Sequence, residues 1–166
     1  MKKLILELDK TDNSINYKSN YKDVSFFRLL DVPDNQENQF KLYELVKEGV
    51  LGDPGQNGEF ESFDQFIDKI YYRCYWDRRD SQFIVAVDNN WIGLSSITLD
   101  RDKKVADCGL NVVKEEFRGN GIASMLKEKT IDYAKKQGIQ KMITNVHEEN
   151  YSMLAVNQRF GFHESK

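Results

Sequence analysis

Apolar and charged residues alternate over residues 3–8, which predicts a β-strand at the start of the chain. Residues 9–23 are polar, rich in Asn, Ser, Lys and Tyr, and predict a turn or loose hairpin connection. The apolar run 24–32 (VSFFRLLDV) predicts a second, mostly buried strand that stops at Pro33, which has no amide to give a ladder. Phe40, Tyr43, Val46 and Val50 then return at helical spacing, predicting a helix from about Asn35 to Glu48 with Gly49 as its stop. A turn-rich stretch, GDPGQNG over 52–58, leads to a capping box at Ser62 and Gln65. The helix it opens carries Phe63, Phe66, Ile67, Ile70 and Tyr71 on one stripe.

In the second half, 82–87 and 91–99 read as strands around the hairpin turn Asp88-Asn89-Asn90. Residues 105–113 read as another strand, 121–137 as a helix with Ile122, Leu126, Thr130, Tyr133 and Ala134 facing inward, and Gly138 as its end. A strand over 140–146 and a helix over 150–160, closed by Gly161, complete the pattern. The alternation predicts a mixed α/β (α+β) architecture, a central sheet flanked by helices. With no linker or repeat in its 166 residues, the chain reads as one domain, 1–166.

The stretch between the 105–113 strand and the following helix holds the chemistry. Gly119 and Gly121 permit backbone dihedrals that a β-carbon forbids. Amides at a helix start have no internal acceptor and carry the positive end of the helix dipole, so this turn is an anion cradle suited to a phosphate or pyrophosphate. Arg118 adds a forked cation at its mouth. A Walker loop is absent, and Ser124 stands where a dinucleotide fingerprint needs its third glycine.

Arg118-Gly-Asn-Gly121-Ile-Ala123 has the form Arg-x-x-Gly-x-Ala and resembles motif A of the GNAT superfamily of acyl-CoA-dependent N-acyltransferases. Thr144-Asn145 with Asn150-Tyr-Ser-Met153-Leu-Ala-Val-Asn157-Gln-Arg-Phe-Gly161-Phe162 resembles motif B, in the same order and spacing. The resemblance covers roughly residues 82 to 162 and implies a GNAT-like fold with acetyl-CoA as cosubstrate. It implies that the amides of Gly119, Asn120, Gly121, Ile122, Ala123 and Ser124 hold the pyrophosphate beside Arg118. It further implies that the strand end at Asn111, Val112 and Val113 splays from its neighbour to meet the pantetheine arm. Such domains add two strands after the final Gly-Phe. Here four residues follow Phe162, so the C-terminal strands are missing from the pattern, and either the edge is absent or the N-terminal strand or a second subunit fills it.

A net charge of −3 and a pI near 5.5 give no reason to expect a nucleic-acid or anionic-membrane partner. Cys74 and Cys108 form no metal-ligand pattern and no disulfide framework, so no metal is expected and a reducing cytoplasm is. The apolar run at the N-terminus is too short for a signal-peptide core or a membrane span.

The resemblance implies transfer of acetyl from acetyl-CoA to a primary amine, on a small molecule or a peptide, by direct attack. Asn150 reads both as the family asparagine facing the cofactor and as an ordinary N-cap. Met153 reads as core and pantetheine wall. Asn157 takes a position where many relatives carry a tyrosine that protonates the departing thiolate; an amide can only donate a hydrogen bond to the sulfur or carbonyl. For the base, Asp107 is the one carboxylate inside the 105–113 strand and shares a face with Gly109 and Asn111 by period two. Glu148, Glu149 and His147 are alternatives, and Tyr71, Tyr72, Trp76 and Asp77 are candidates to line an acceptor pocket. The rival function is a catalytically weak CoA-binding module, a sensor or subunit. Superfamily members are often dimers, which makes a homodimer one expectation.

Overall fold

The computed structural model describes residues 1–10 and 20–165, Lys10 by its backbone alone. Strands β1 (Lys2–Glu7), β2 (Val24–Arg28), β3 (Gln82–Val87), β4 (Asn90–Asp100), β5 (Val105–Val113), β6 (Lys141–Val146) and β7 (His163–Glu164) form one sheet in the order β2-β3-β4-β5-β6-β1-β7. All neighbours pair antiparallel except β5 and β6, which run parallel. The N-terminal strand therefore fills the place beside β6, pairing Lys2 with Val146 through Glu7 with Lys141, and the short β7 adds the outer edge against Leu4 and Ile5. The polar connection expected over residues 9–23 lies largely outside the described residues.

Helices cover the sheet unequally. On one face, α3 (Ile122–Lys136) and α4 (Tyr151–Arg159) close a core with Leu4, Leu6, Phe83, Val85, Ile92 and Met142. On the other, α1 (Gln36–Leu51) packs against β4 and β5, and α2 (Phe63–Phe66) continues as a π-helix over Ile67–Tyr75. There Tyr43, Phe66, Tyr71 and Tyr75 form an aromatic core with Ile84, Trp91 and Leu94. Two-residue periodicity feeds both: Phe83 and Val85 point one way, Ile84 and Ala86 the other.

Local chemistry set most boundaries. Asn35 caps α1 by accepting from the Asn38 amide, and Ser62 and Gln65 make the expected capping box. Asp88 and Asn89 both take positive φ, the conformation a tight two-residue hairpin demands.

Two boundaries differ from expectation. β2 ends at Arg28 rather than Val32, because the Asp31 carboxylate accepts from the Arg28 amide and folds Leu29–Asp31 into a 3-10 turn. Gly49 does not stop α1, which runs to Leu51 with Gly52 as its cap. Gly49 instead lets the helix touch the sheet: a β-carbon there would come within 2.9 Å of Val112 Cβ.

Candidate functional site

The site begins as a break in strand pairing. The β5–β6 ladder ends at Cys108 and Thr144, while β5 continues to Val113 beside β4 and β6 to Val146 beside β1. At that point β5 also bulges: Ser95 pairs with Asn111 and Ile97 with Cys108, so Gly109 and Leu110 together oppose Ser96. Asn111 clamps the bulge, its carboxamide oxygen accepting from the Ser95 hydroxyl and its nitrogen donating to the Gly109 carbonyl at 3.2 Å.

The diverging strands leave a cavity of about 700 Å³. Cys108 and Thr144 line its closed end, and Asn111, Val112 and Val113 line one wall. At its head lies the turn before α3, where Gly119 and Gly121 adopt φ of 75° and 81°. The backbone amides from Gly119 to Ser124 find no acceptor among the described residues, and the first helical bond of α3 is Met125 to Gly121. Such amides satisfy themselves with water or an anion. Of these residues Gly119, Gly121, Ile122, Ala123 and Ser124 line the cavity, whereas Asn120 braces the turn by donating to the Phe117 and Arg118 carbonyls.

Arg118 also lines the cavity, but its Nε is committed to the Val113 carbonyl at 2.9 Å and its Nη2 lies 3.8 Å from Glu48 of α1. It ties the turn to the strand end and to α1 while half of it stays exposed. On α4, Asn150 caps the helix by accepting from the Met153 amide and lines the cavity as well, so both of its readings hold structurally. Met153 and Val156 present apolar wall.

Two candidates stand elsewhere. Asn157 is fully buried and is not among the lining residues, and neither atom of its side-chain amide has a partner among the described residues. Asp107 is exposed and lies on the sheet face opposite Asn111. The period-two argument that put them on one face fails because the bulge inserts an extra residue between them: Cys108 and Asn111 share the α3 face, and Asp107 takes the other. His147 lines the cavity, yet its Nδ1 accepts from the Glu149 amide at 3.3 Å, which uses that lone pair. Glu148 and Glu149 are exposed. Tyr71 and Trp76 stack in the aromatic core rather than lining the cavity, and the Tyr71 hydroxyl donates to Asp34 at 2.9 Å.

Sequence reasoning missed Arg159, which lines the cavity and locks α4 to α3 by donating to the Ser124 hydroxyl at 2.9 Å. Its place in the last turn of a helix carried no local signal. The end of α1 and its following loop, through Val50, Asp53 and Gln56, supply another cavity side. At the closed end, burial raises the Cys108 thiol pKa, Lys127 pulls it partly back, and Asp107 adds to the rise.

An amide-lined turn, a split parallel strand pair and a bulge at the split are now joined by direct similarity. The model of the acetyltransferase (GNAT) family matches residues 53–162. The chain belongs to the GNAT family. An uncharacterized N-acetyltransferase of Methanocaldococcus jannaschii is 38% identical over 82 residues, covering 49% of this GNAT chain and 34% of that protein. A GCN5-related N-acetyltransferase from Sphaerobacter thermophilus superposes with a TM-score of 0.73 at 14% identity over 99% of this chain and 48% of the other. The chain thus spans about a third and about half of those two relatives. The spermidine N-acetyltransferase of Vibrio cholerae, solved with CoA and spermine, superposes with a TM-score of 0.67 at 18% identity over 88% of this chain and 84% of the other. These similarities establish the GNAT fold. No helix among the described residues is long and apolar enough to cross a membrane.

Proposed function

We propose that the protein is an N-acetyltransferase that moves acetyl from acetyl-CoA to a primary amine by direct attack. The observation that carries this reading is the run of amides from Gly119 to Ser124 that find no acceptor among the described residues, at the head of the cavity between β5 and β6. The residues present fit the cosubstrate. The amides and the helix dipole suit its pyrophosphate, and Val112, Met153 and Val156 suit the pantetheine arm. Acetyl-CoA supplies an activated thioester; the protein holds it, orients it and removes a proton from the acceptor ammonium.

Bulged backbone at Gly109 and Leu110 leaves groups free for the arm, with Asn111 keeping the bulge in shape. The amine approaches from the α1 face, where Asp107, next to the closed end of the cavity, serves as base. Holding both reactants removes the entropy of their encounter, which supplies much of the rate.

A thermal-shift titration with acetyl-CoA, CoA and ATP tests the cosubstrate. Saturation at 100 times the dissociation constant should add about 2.7 kcal/mol for the two CoA species and nothing for ATP. Gly121→Glu, which puts a carboxylate into the cradle, should abolish the shift; an unchanged shift in that variant would place the anion elsewhere. The second reading, a CoA-binding module with weak turnover, draws on the burial of Asn157, which does not line the cavity. Stabilisation by acetyl-CoA without CoA release across a broad amine panel would favour it.

A further inference from the structure

Two arginines line the cavity, and they are committed differently. Arg118 spends its Nε on the Val113 carbonyl and sets its Nη2 3.8 Å from the Glu48 carboxylate, so its charge is turned toward α1 and partly offset. Arg159, on α4, has no ion pair among the described residues. Its guanidinium makes one hydrogen bond there, from Nη1 to the Ser124 hydroxyl at 2.9 Å. A guanidinium carries its N–H donors in a planar fork, so most of this one is left without a partner among the described residues.

Ser124 is the link to the turn before α3. It is buried, and its backbone amide is the last of the run from Gly119 that finds no acceptor among the described residues. Its hydroxyl holds Arg159, so the free part of the fork is tethered to a member of that run, on the same cavity. The sole carboxylate among the lining residues, Asp53, stands on the loop after α1, where its Oδ1 accepts from the Gly55 amide.

Charge decides what such a pair can hold. The start of a helix carries about half a positive charge, whereas a diphosphate diester carries a full negative charge on each phosphate. Amides alone satisfy its oxygens as hydrogen-bond donors but leave most of its charge uncompensated. A forked cation supplies donors and charge together.

We propose that Arg159 is a phosphate-binding residue, whose guanidinium takes the pyrophosphate of acetyl-CoA from α4 while the amides of Gly119 to Ser124 take it from the start of α3. This rests on the reading of the cavity as the acetyl-CoA site, and adds the cation that Arg118, bound to Val113 and Glu48, does not supply. The pyrophosphate is the group assigned, rather than the phosphate on the ribose, because the tether of the fork belongs to the amide run itself.

The test compares CoA, dephospho-CoA, which lacks the ribose phosphate, and pantetheine, which has no phosphate. Each is titrated by NMR, which reads millimolar binding, into the whole protein and into Arg159→Gln, with phosphorus spectra of bound CoA. CoA and dephospho-CoA should weaken by the same factor, about tenfold or more, while pantetheine does not change. The pyrophosphate signal of bound CoA should shift in the variant and the ribose phosphate signal should hold. Unchanged CoA affinity overturns the proposal, as does a loss that spares dephospho-CoA. A loss shared by pantetheine with the pyrophosphate signal unmoved also overturns it and leaves Arg159 a brace between α3 and α4. Should Arg159→Gln fail to fold, Arg159→Lys takes its place. It keeps the charge and loses the fork, so CoA and dephospho-CoA should weaken by a smaller, equal factor; no loss, or one shared by pantetheine, overturns the proposal equally. An unaltered protein that binds none of the three ligands overturns the acetyl-CoA reading itself, a distinguishable result.

Discussion

At the scale of single residues, the bulge in β5 decides what each neighbouring side chain can do. Asn111 reaches across it with both ends of its amide, to Ser95 and to the Gly109 carbonyl. Asn111→Ala should lose about 1 kcal/mol of stability and weaken acetyl-CoA binding, both read from one denaturation series with and without the cosubstrate. Asp107 sits outside the cavity on the other sheet face, so Asp107→Asn should leave the acetyl-CoA thermal shift as it was. As the base it should lower turnover by about 10²-fold or more; full turnover in the variant would return the role to another group. The facing of Asp107 was not legible in the chain, because alternation is a rule of one strand and a bulge is settled between two. The run of unpaired amides before α3 was legible, because amides without an internal acceptor at a helix start follow from local geometry alone. Arg159 was not, since its bond to Ser124 depends on how α3 and α4 meet.

At the scale of elements, most strands and helices followed from pattern and caps, down to β5 at residues 105–113. The exception at α1 is a residue whose local preference points one way and whose packing points another. Gly49 has the chemistry of a helix stop, yet it lies within α1 at the contact with β5. Gly49→Ala tests which force dominates there. Propensity alone would favour alanine by about 1 kcal/mol, but the added carbon would meet Val112 Cβ at 2.9 Å, a branch point that cannot swing aside. Overpacking costs about 1–3 kcal/mol, so the net expectation is a loss of stability. Because Val112 also lines the cavity, acetyl-CoA affinity should fall with it. A variant more stable than the parent would mean that α1 can shift off the sheet.

At the scale of the molecule, the sheet separates two cores with different chemistry. The cavity, opened where β5 and β6 part, is lined from both sides, by α3 and α4 and by the end of α1, whereas the tyrosine-rich cluster lies on the α1 side alone. Burial raises the pKa of Tyr71, helped by the hydrogen bond to Asp34, and burial likewise raises that of Tyr75. In an unfolded chain both phenols titrate near pH 10. A folded pKa above the unfolded one means the folded state keeps protons the unfolded state has released, so stability is fully present below about pH 10 and falls as pH rises beyond it. Each phenol contributes a slope of about 1.4 kcal/mol per pH unit there. Urea midpoints should therefore change little on this account between neutrality and about pH 9 and then drop, and Tyr71→Phe should make the drop shallower. The stabilisation by acetyl-CoA should be the same in Tyr71→Phe as in the parent, since Tyr71 does not line the cavity and distant sites add. A ligand shift that changed in this variant would show the two cores to be coupled through β4 and β5, and the aromatic side would then belong to the active machinery rather than to its support.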